Sequence, residues 1–238
     1  MPPLPETGPW EVRNAARSFN AMRARLERYL QERSHLLAAL SHDLKTPITR
    51  MRLRTEMMPD GDLRDKTLRD LAEMEEMAAA SMDFIRGMEG GEHGERVDLA
   101  ALLESIQGEH EELGRDVVVH CEVQGPVVVK PRSIKRCLDN LISNAVAYGQ
   151  RARVEARLVG RRLIIAVEDD GPGIPPADVE RVFEPFVRLE SSRNRQSGGT
   201  GLGLPIARNI ARAHGGEVYL RNRREGGLTA VVEIPLEN

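Results

Sequence analysis

The sequence predicts an α+β chain in two parts: a helical hairpin that pairs with a second copy into a dimeric four-helix bundle, then an α/β sandwich with one sheet covered by helices. Three observations predict it. Apolar residues recur at three- and four-residue spacing through the first third of the chain, a polar, glycine-rich break covers residues 87–94, and strand-like and helix-like segments then alternate to the end. A length of 238 residues suits one sizeable globular unit plus a helical extension.

From residue 10 to residue 57 the only proline is Pro47, and Val12, Ala15, Ala16, Phe19, Met22, Leu26, Tyr29, Leu30, Leu36, Leu37, Leu40 and Leu44 form one stripe on a long helix. Arg23, Arg25, Glu27, Arg28 and Glu32 fill the other faces, so the stripe has to pack on something outside its own helix. Pro59-Asp60-Gly61-Asp62 is a turn signal. A second helix follows over residues 63–88, with Leu68, Leu71, Met74, Met77, Ala78, Ser81, Phe84 and Ile85 on one side. Two helices make a thin core, and pairing with a second copy buries both stripes, so a homodimer is expected.

Beyond the glycine-rich break, residues 99–113 read as a helix, 117–123 and 127–129 as strands, and 132–148 as a long amphipathic helix. Residues 153–158 and 163–168 read as strands. Glycine-rich loops flanking short helices come next, and strands over 217–221 and 228–234 close the chain. No internal repeat is visible.

Composition excludes several classes. With 34 basic and 37 acidic side chains the net charge is −3, which provides no basic field for a direct nucleic-acid partner. Cys121 and Cys137 show no metal or disulfide spacing and fit a reducing compartment. No apolar run has the length of a membrane span, and the proline-rich start lacks the order of a signal peptide, so the stretch is expected to be soluble.

Chemistry concentrates in four places. Asp169-Asp170-Gly171-Pro172-Gly173 follows a strand, and Gly199-Thr200-Gly201-Leu202-Gly203-Leu204 precedes a helix. Glycines let the backbone approach phosphate oxygens, and amides at a helix start favour an anion. Either cluster alone is equally an ordinary turn; together they frame a phosphate-sized gap. Between them lie Phe183-Glu184-Pro185-Phe186 and a polar stretch over 187–198 with Arg188, Arg193 and Arg195, suited to a lid, though also to a plain solvated loop. Upstream, Asn140 and Asn144 stand four apart on one helix face, where amide oxygens suit Mg²⁺, although a single buried Asn is more often a packing residue.

In order and spacing, residues 140–145, 169–173, 183–186 and 199–203 resemble the N, G1, F and G2 boxes of the histidine kinase ATP-binding domain. Ser41-His42-Asp43-Leu44-Lys45-Thr46-Pro47 resembles the H box of the dimerisation helix. The resemblance covers nearly the whole chain and, with Ser133-Ile134-Lys135-Arg136, is nearest to the EnvZ-like osmosensor kinases. It implies a nucleotide domain of the GHKL (Bergerat) type. Glu11-Val12-Arg13 and Phe19-Asn20-Ala21-Met22 look like the second helix of a HAMP module. The expected organisation is therefore a partial HAMP helix and linker over 1–30, the phosphotransfer hairpin over 31–88, a linker over 89–96 and the ATP-binding domain over 97–238. The whole is expected to be the cytoplasmic part of a membrane receptor, joined to the membrane through N-terminal segments that this stretch lacks.

The resemblance also implies roles. Asp169 would bond the adenine amino group, Asn144 would hold Mg²⁺ with help from Asn140, and Gly171, Gly173, Gly199, Gly201 and Gly203 would shape the pocket and lid. Tyr148 and Ile174 would lie at the adenine, Arg188 at a phosphate, with Phe183, Thr200 and Leu202 as further nucleotide-side positions. Lys45 stands where close relatives often carry Arg, which keeps the charge but not the bidentate fork.

His42 would be the phosphoryl acceptor. A neutral imidazole is a competent nucleophile, and an ordinary pKa of about 6.5 leaves most of it neutral at pH 7. Asp43 would take the other ring proton, and Thr46, one turn on, could position a water against a phospho-aspartate of the partner, a response regulator receiver domain of the OmpR-like kind. Pro47 is expected to bend the helix there. Without these neighbours His42 would read as a surface histidine; His35, His93, His110, His120 and His214 are read as structural or surface residues. Two other functions compete. A GHKL ATPase of the chaperone, mismatch-repair or topoisomerase kind shares the pocket, but typically has a glutamate base where this chain has Asn140. A non-catalytic dimeric scaffold is the third.

Overall fold

The computed structural model describes residues 4–86, 92–189 and 200–236, with the side chains of residues 26, 27, 29–43, 73, 76, 80 and 82–86 outside the description. The chain divides into two compact units, Met1–Glu89 and Gly90–Asn238. Among the described residues no helix is long and apolar enough to cross a membrane.

The first unit is a hairpin of α1 (Trp10–Glu56) and α2 (Asp62–Arg86). Glu11 in the first turn of α1 and Arg54 in its last, with Asp62 and Asp65 opening α2, place charges that complement the helix dipoles. The α1 helix continues through Pro47, which has no N–H to give the carbonyl of Asp43. Ile48, Thr55 and Leu71 are buried in this unit, and Arg52 on α1 reaches Glu75 on α2 at 3.1 Å. The hairpin leaves much of its apolar surface open: Leu44, Met51, Leu53, Leu63, Met74 and Met77 are exposed. At its start, the Asn20 carboxamide holds the Leu4 backbone by two 2.9 Å bonds, accepting from the N–H and donating to the carbonyl.

The second unit is the expected sandwich. Strands β2 (Asp116–Cys121), β4 (Arg151–Val159), β5 (Arg162–Glu168), β6 (Glu217–Asn222) and β7 (Leu228–Pro235) form a sheet of order β2-β4-β5-β7-β6, parallel between β2 and β4 and antiparallel elsewhere. Alternate residues point to one face. Val154, Ala156, Leu163, Ile165, Val167, Val218, Ala230, Val232 and Ile234 are buried, and the register sets Val154 opposite Val167, Ile165 opposite Val232 and Val218 opposite Val232. Helices α3 (Leu99–Glu112), α4 (Pro131–Gly149) and α5 (Gly203–Ala213) cover that face with Leu103, Ile106, Ile134, Leu138, Leu141, Ile142, Ile206 and Ile210.

A short ribbon, β1 (Glu95–Val97) antiparallel to β3 (Val127–Val129), is separate from the five-stranded sheet. The sequence pattern does not predict β1, because its three residues include two charged ones and its strand geometry comes from β3. The expected strand over 117–123 is Asp116–Cys121, after which Glu122 still donates to the Ala156 carbonyl at 2.8 Å.

Side chains supply the caps. Asp98 accepts from the N–H groups of Ala100 and Ala101 at 3.0 and 3.2 Å and opens α3. The start of α4 has Pro131 in its first turn, no cap from its own N-cap residue Lys130, and instead the carboxylate of Glu92 from forty residues upstream. Glu92 accepts from Arg132 N–H at 2.7 Å, Ser133 N–H at 3.0 Å and Ser133 Oγ–H at 2.5 Å. Desolvation, the largest influence on this carboxyl, opposes its charge, but the bonds from Ser133 and Arg132 together outweigh it and hold Glu92 below the ordinary glutamate value.

A depressed carboxyl pKa means that the capping contribution is complete above the unfolded-state value and is lost as the pH falls through the folded-state value. Glu92→Gln is therefore expected to lower stability by about 1 kcal/mol near neutral pH. The difference from wild type should shrink as urea titrations move below the ordinary glutamate pKa of 4.5. A pH-independent difference would mean the carboxylate is not the cap.

Candidate functional site

Asp169 follows the last residue of β5 and is buried. Its Oδ1 accepts from Gly171 N–H at 2.8 Å and Leu228 N–H at 3.2 Å, which spends one carboxylate oxygen on the turn and leaves Oδ2 with no bond among the described residues. Burial, the largest influence, pushes the Asp169 carboxyl above the usual carboxylate range against the pull of those two amides.

Glycines make this approach possible. A Cβ on Gly149, the last residue of α4, would stand 2.6 Å from the Asp169 Cβ, and one on Gly171 would stand 2.8 Å from the Tyr148 carbonyl. Gly227 has φ +95°, and a side chain there would run into the Asp169 carbonyl at 2.0 Å. Gly173, at φ +73°, faces Asn222, whose carboxamide accepts from Ile174 N–H at 2.8 Å and donates to the Ile174 carbonyl at 2.7 Å. Arg223, next on that strand end, donates to the Asp169 carbonyl and to Asp170 Oδ1, both at 2.9 Å. Asp170 also binds Arg151 and, at 2.9 Å, Arg153, and is held below the usual carboxylate range first by Arg151.

At the other end, Asn140 and Asn144 converge on the start of α5. A Cβ on Gly203 would lie 3.3 Å from Asn140 Oδ1 and 3.3 Å from Asn144 Nδ2. The Asn140 Nδ2 group donates back to the Arg136 carbonyl at 2.7 Å, which fixes the amide so that its oxygen, not its nitrogen, faces Gly203. Asn144 makes no hydrogen bond among the described residues, and its oxygen would lie 3.4 Å from the same Cβ. A Cβ on Gly201, at φ +71°, would stand 2.9 Å from the Phe186 backbone, and Phe186 N–H donates to the Gly201 carbonyl at 3.0 Å. Phe186 itself has φ +66°.

The remaining candidates fall as follows. Tyr148 is exposed at the end of α4, and Ile174 is half-buried with its backbone held by Asn222. Phe183 is buried under the Arg208 guanidinium, 4.1 Å from the ring centroid. Leu202 is fully buried and its carbonyl accepts the first bond of α5, from Ile206 N–H at 2.9 Å, so its side chain serves the core. Thr200 and Arg188 are half-buried at the two edges of residues 190–199. That segment, with Gly199 and most of the expected lid, lies outside the described residues.

A cleft of ≈ 440 Å³ lined by Asp116, Tyr148, Gly149, Gln150, Arg151 and Asp170 opens on the Asp170 side of the turn. None of Asn140, Asn144 or Gly203 lines it, so it is not the space between the two glycine clusters. His42, Asp43 and Thr46 all belong to α1 in the first unit. Thr46 is exposed; the side chains of His42 and Asp43 are among those outside the description.

Residues 32–83 match the family model of the His Kinase A (phospho-acceptor) domain. Residues 129–238 match that of the histidine kinase-, DNA gyrase B-, and HSP90-like ATPase. The chain belongs to the sensor histidine kinase family. The sensor histidine kinase GtrS of Pseudomonas aeruginosa is 45% identical over 232 residues, covering 98% of this chain and 48% of that protein. The sensor histidine kinase CpxA of Escherichia coli is 31% identical over 243 residues, covering 97% of this chain and 53% of its own. The chain thus spans about half the length of the curated relatives it matches. The crystal structure of full-length ShkA in complex with AMPPNP shares the fold, with a TM-score of 0.66 at 23% identity over 86% of this chain and 46% of that one.

Within this family member, sequence patterns miss Gly149, Gly227, Asn222, Arg223 and Arg208, which shape the site without belonging to any box. Gly227 precedes β7, but the group it adjoins, the Asp169 carbonyl, lies just beyond β5, where no neighbouring residue in the sequence signals it. Gly227→Ala should cost roughly 2–3 kcal/mol, combining a left-handed backbone with a clash. Gly160→Ala, at φ +60° with open space around it, should cost about 1 kcal/mol. Urea unfolding of the two variants checks the contrast, and equal losses would show that the Asp169 contact is unimportant.

Proposed function

We propose that this chain is the cytoplasmic kinase region of a membrane receptor that phosphorylates His42 from ATP and passes the phosphoryl group to an aspartate of a response regulator, of the OmpR-like kind. The observation that carries the reading is the start of α5 lying against both carboxamides of α4, in a chain whose phospho-acceptor stretch contains His42. The residues present fit Mg-ATP. Asp169 offers a buried carboxylate oxygen to an amino group at the base, and Ile174 and Tyr148 adjoin that turn. Asn140 Oδ1 and Asn144 would hold Mg²⁺, which takes oxygen ligands and neutralises the charge of a triphosphate. Gly171, Gly173, Gly199, Gly201 and Gly203, with Thr200, would let backbone amides approach phosphate oxygens, with Arg188 at the phosphate edge.

At the acceptor, a ring nitrogen of His42 forms the bond to phosphorus as the bond to ADP breaks; Asp43 accepts a hydrogen bond from the other ring N–H, stabilises the imidazolium as it forms, and then takes that proton to leave neutral phosphohistidine. Thr46 orients water for the reverse task, hydrolysis of the partner's phospho-aspartate. Residues 1–30 are assigned to the end of a HAMP module and 31–88 to the phosphotransfer hairpin. A linker over 89–96 precedes the ATP-binding domain over 97–238. The exposed Leu44, Met51, Leu53, Leu63, Met74 and Met77 support a second copy completing a four-helix bundle.

Incubation with γ-labelled ATP should place an acid-labile, alkali-stable label on the wild-type chain and none on His42→Gln, while the variant still binds Mg-ATP. Steady phosphate release by His42→Gln would sink the kinase reading in favour of an ATPase. Gly203→Ala should leave stability within about 1 kcal/mol of wild type, the helix preference of alanine set against the 3.3 Å approach to the two carboxamides. Its Mg-ATP affinity should fall on the order of tenfold or more, as a methyl enters the gap beside the two asparagines. Unchanged affinity in calorimetry would remove the asparagines from the metal site.

A further inference from the structure

Two histidines left aside by the sequence pattern are not surface residues. His110 is buried on α3 and accepts from Arg115 at 3.1 Å. His214, the residue after α5, reaches further. Lys130 N–H, at the N-cap of α4, points to His214 Nε2 at 3.2 Å, and His214 Nδ1 lies 2.8 Å from the Ile210 carbonyl. A backbone N–H can only donate and a carbonyl can only accept, so the ring is the neutral tautomer with its proton on Nδ1.

We propose that His214 is a positioning residue for the nucleotide site: it sets the register of α5 against α4 and so places Gly203 against Asn140 and Asn144. The proposal rests on the nucleotide reading above. The geometry is that of a strut pinned at both ends. Gly203 begins α5 beside Asn140 and Asn144, and His214 ends it beside Lys130, so the two helices run antiparallel. Eleven residues of α5 span roughly 17 Å, and the distance along α4 from Lys130 to the asparagine pair is about the same at 1.5 Å per residue. Between the pins α5 contributes two small residues. Ala207 and Ala211 are fully buried, and the Cys137 thiol meets the Ala207 carbonyl at 3.7 Å. Methyl groups interlock less deeply than the branched side chains elsewhere on these helices, so the directional bond at the end adds a stop to the register where the packing is shallowest.

The two glycines after His214 hold the ring in place. Gly215, at φ +74°, donates to the Arg212 carbonyl at 2.9 Å, and Gly216 N–H donates to the Ala211 carbonyl at 2.9 Å. A side chain on Gly216 would strike the Glu233 carbonyl of β7 at 1.9 Å, so this bend must sit flush on the sheet. The end of α5 is thereby fixed to the sheet, and His214 transmits that fixed point to α4.

The contact is also sensitive to protonation, because His214⁺ has no lone pair for Lys130. Burial, first, and the nearby Lys130 lower the imidazole pKa, while the Ile210 carbonyl and Glu92 oppose that shift. The bond is therefore complete above the ordinary histidine value and lost as the pH falls through the lowered folded value.

Two variants separate the bonds. His214→Gln keeps an acceptor at the Nε2 position; His214→Asn keeps only the group near Nδ1. In calorimetry on the full chain, His214→Asn should weaken Mg-ATP binding about tenfold and His214→Gln by less than about threefold. The ratio of wild-type to His214→Gln affinity, which cancels the titration of ATP itself, should fall on acidification below the ordinary histidine pKa of 6.5. Equal affinities for all three proteins, with only thermal midpoints lowered, would overturn the proposal and leave His214 a packing residue. If wild-type protein binds no Mg-ATP, the nucleotide reading fails separately. The register is then read without nucleotide, from the amide shifts of Gly201 and Gly203 in heteronuclear spectra. Movement in His214→Asn but not in His214→Gln supports the pin, and no movement in either overturns it.

Discussion

A carboxylate buried at the end of a strand is costly unless its lone pairs are met, and an isolated buried charge would cost several kcal/mol. Asp169 meets that constraint with backbone rather than with a cation. Two amides, from Gly171 and from Leu228 on the neighbouring strand, converge on one oxygen. They can do so only where the main chain comes closer than any Cβ would permit, which accounts for Gly149, Gly171 and Gly227 together. Arg223 then fastens the peptide carbonyl of the same residue. The last turn of α4, the end of β5 and the start of β7 are thus drawn to one point, and the carboxylate is held there by one oxygen.

From that point the rest of the unit follows. With the end of α4 fixed beside Asp169, the position of Asn144 and Asn140 along it is fixed too, about one and a half and two and a half turns back. α5 must then present its first turn to them, and the small residues on its inner side allow the close approach. Arg208, stacked on Phe183 and paired with Glu180 and Glu217 at 2.8 Å, joins α5 to the segment that carries Glu180 and Phe183 and to β6.

How far the sequence could be read depended on the range of each interaction. Helix stripes, alternating strands and the boxes around Asp169, Asn144 and Gly203 are local patterns, and the helices and sheet strands they predict are present with their ends shifted by a few residues. β1 escapes because a three-residue strand has no period of its own. Glu92, Asn222 and Arg223 act on partners 41, 48 and 54 positions away, so nothing beside them in the sequence betrays their work. His214 was indistinguishable from a solvent histidine for the same reason: its partner Lys130 is 84 positions off. Asn140 shows the converse, since its neighbour at four residues, Arg136, already determines which way its amide turns.

The cap on α4 carries a mechanical meaning. Glu92 belongs to the stretch through which the chain arrives from the hairpin, and it grips the first turn of the helix that bears Asn140 and Asn144. A helix is stiff along its axis, and only about 12–18 Å separate the gripped turn from the two amides. In the language of machines, α4 is a push-rod. Any displacement of Glu92 would act first on the gripped turn, and through the stiff helix on the two carboxamides further along it.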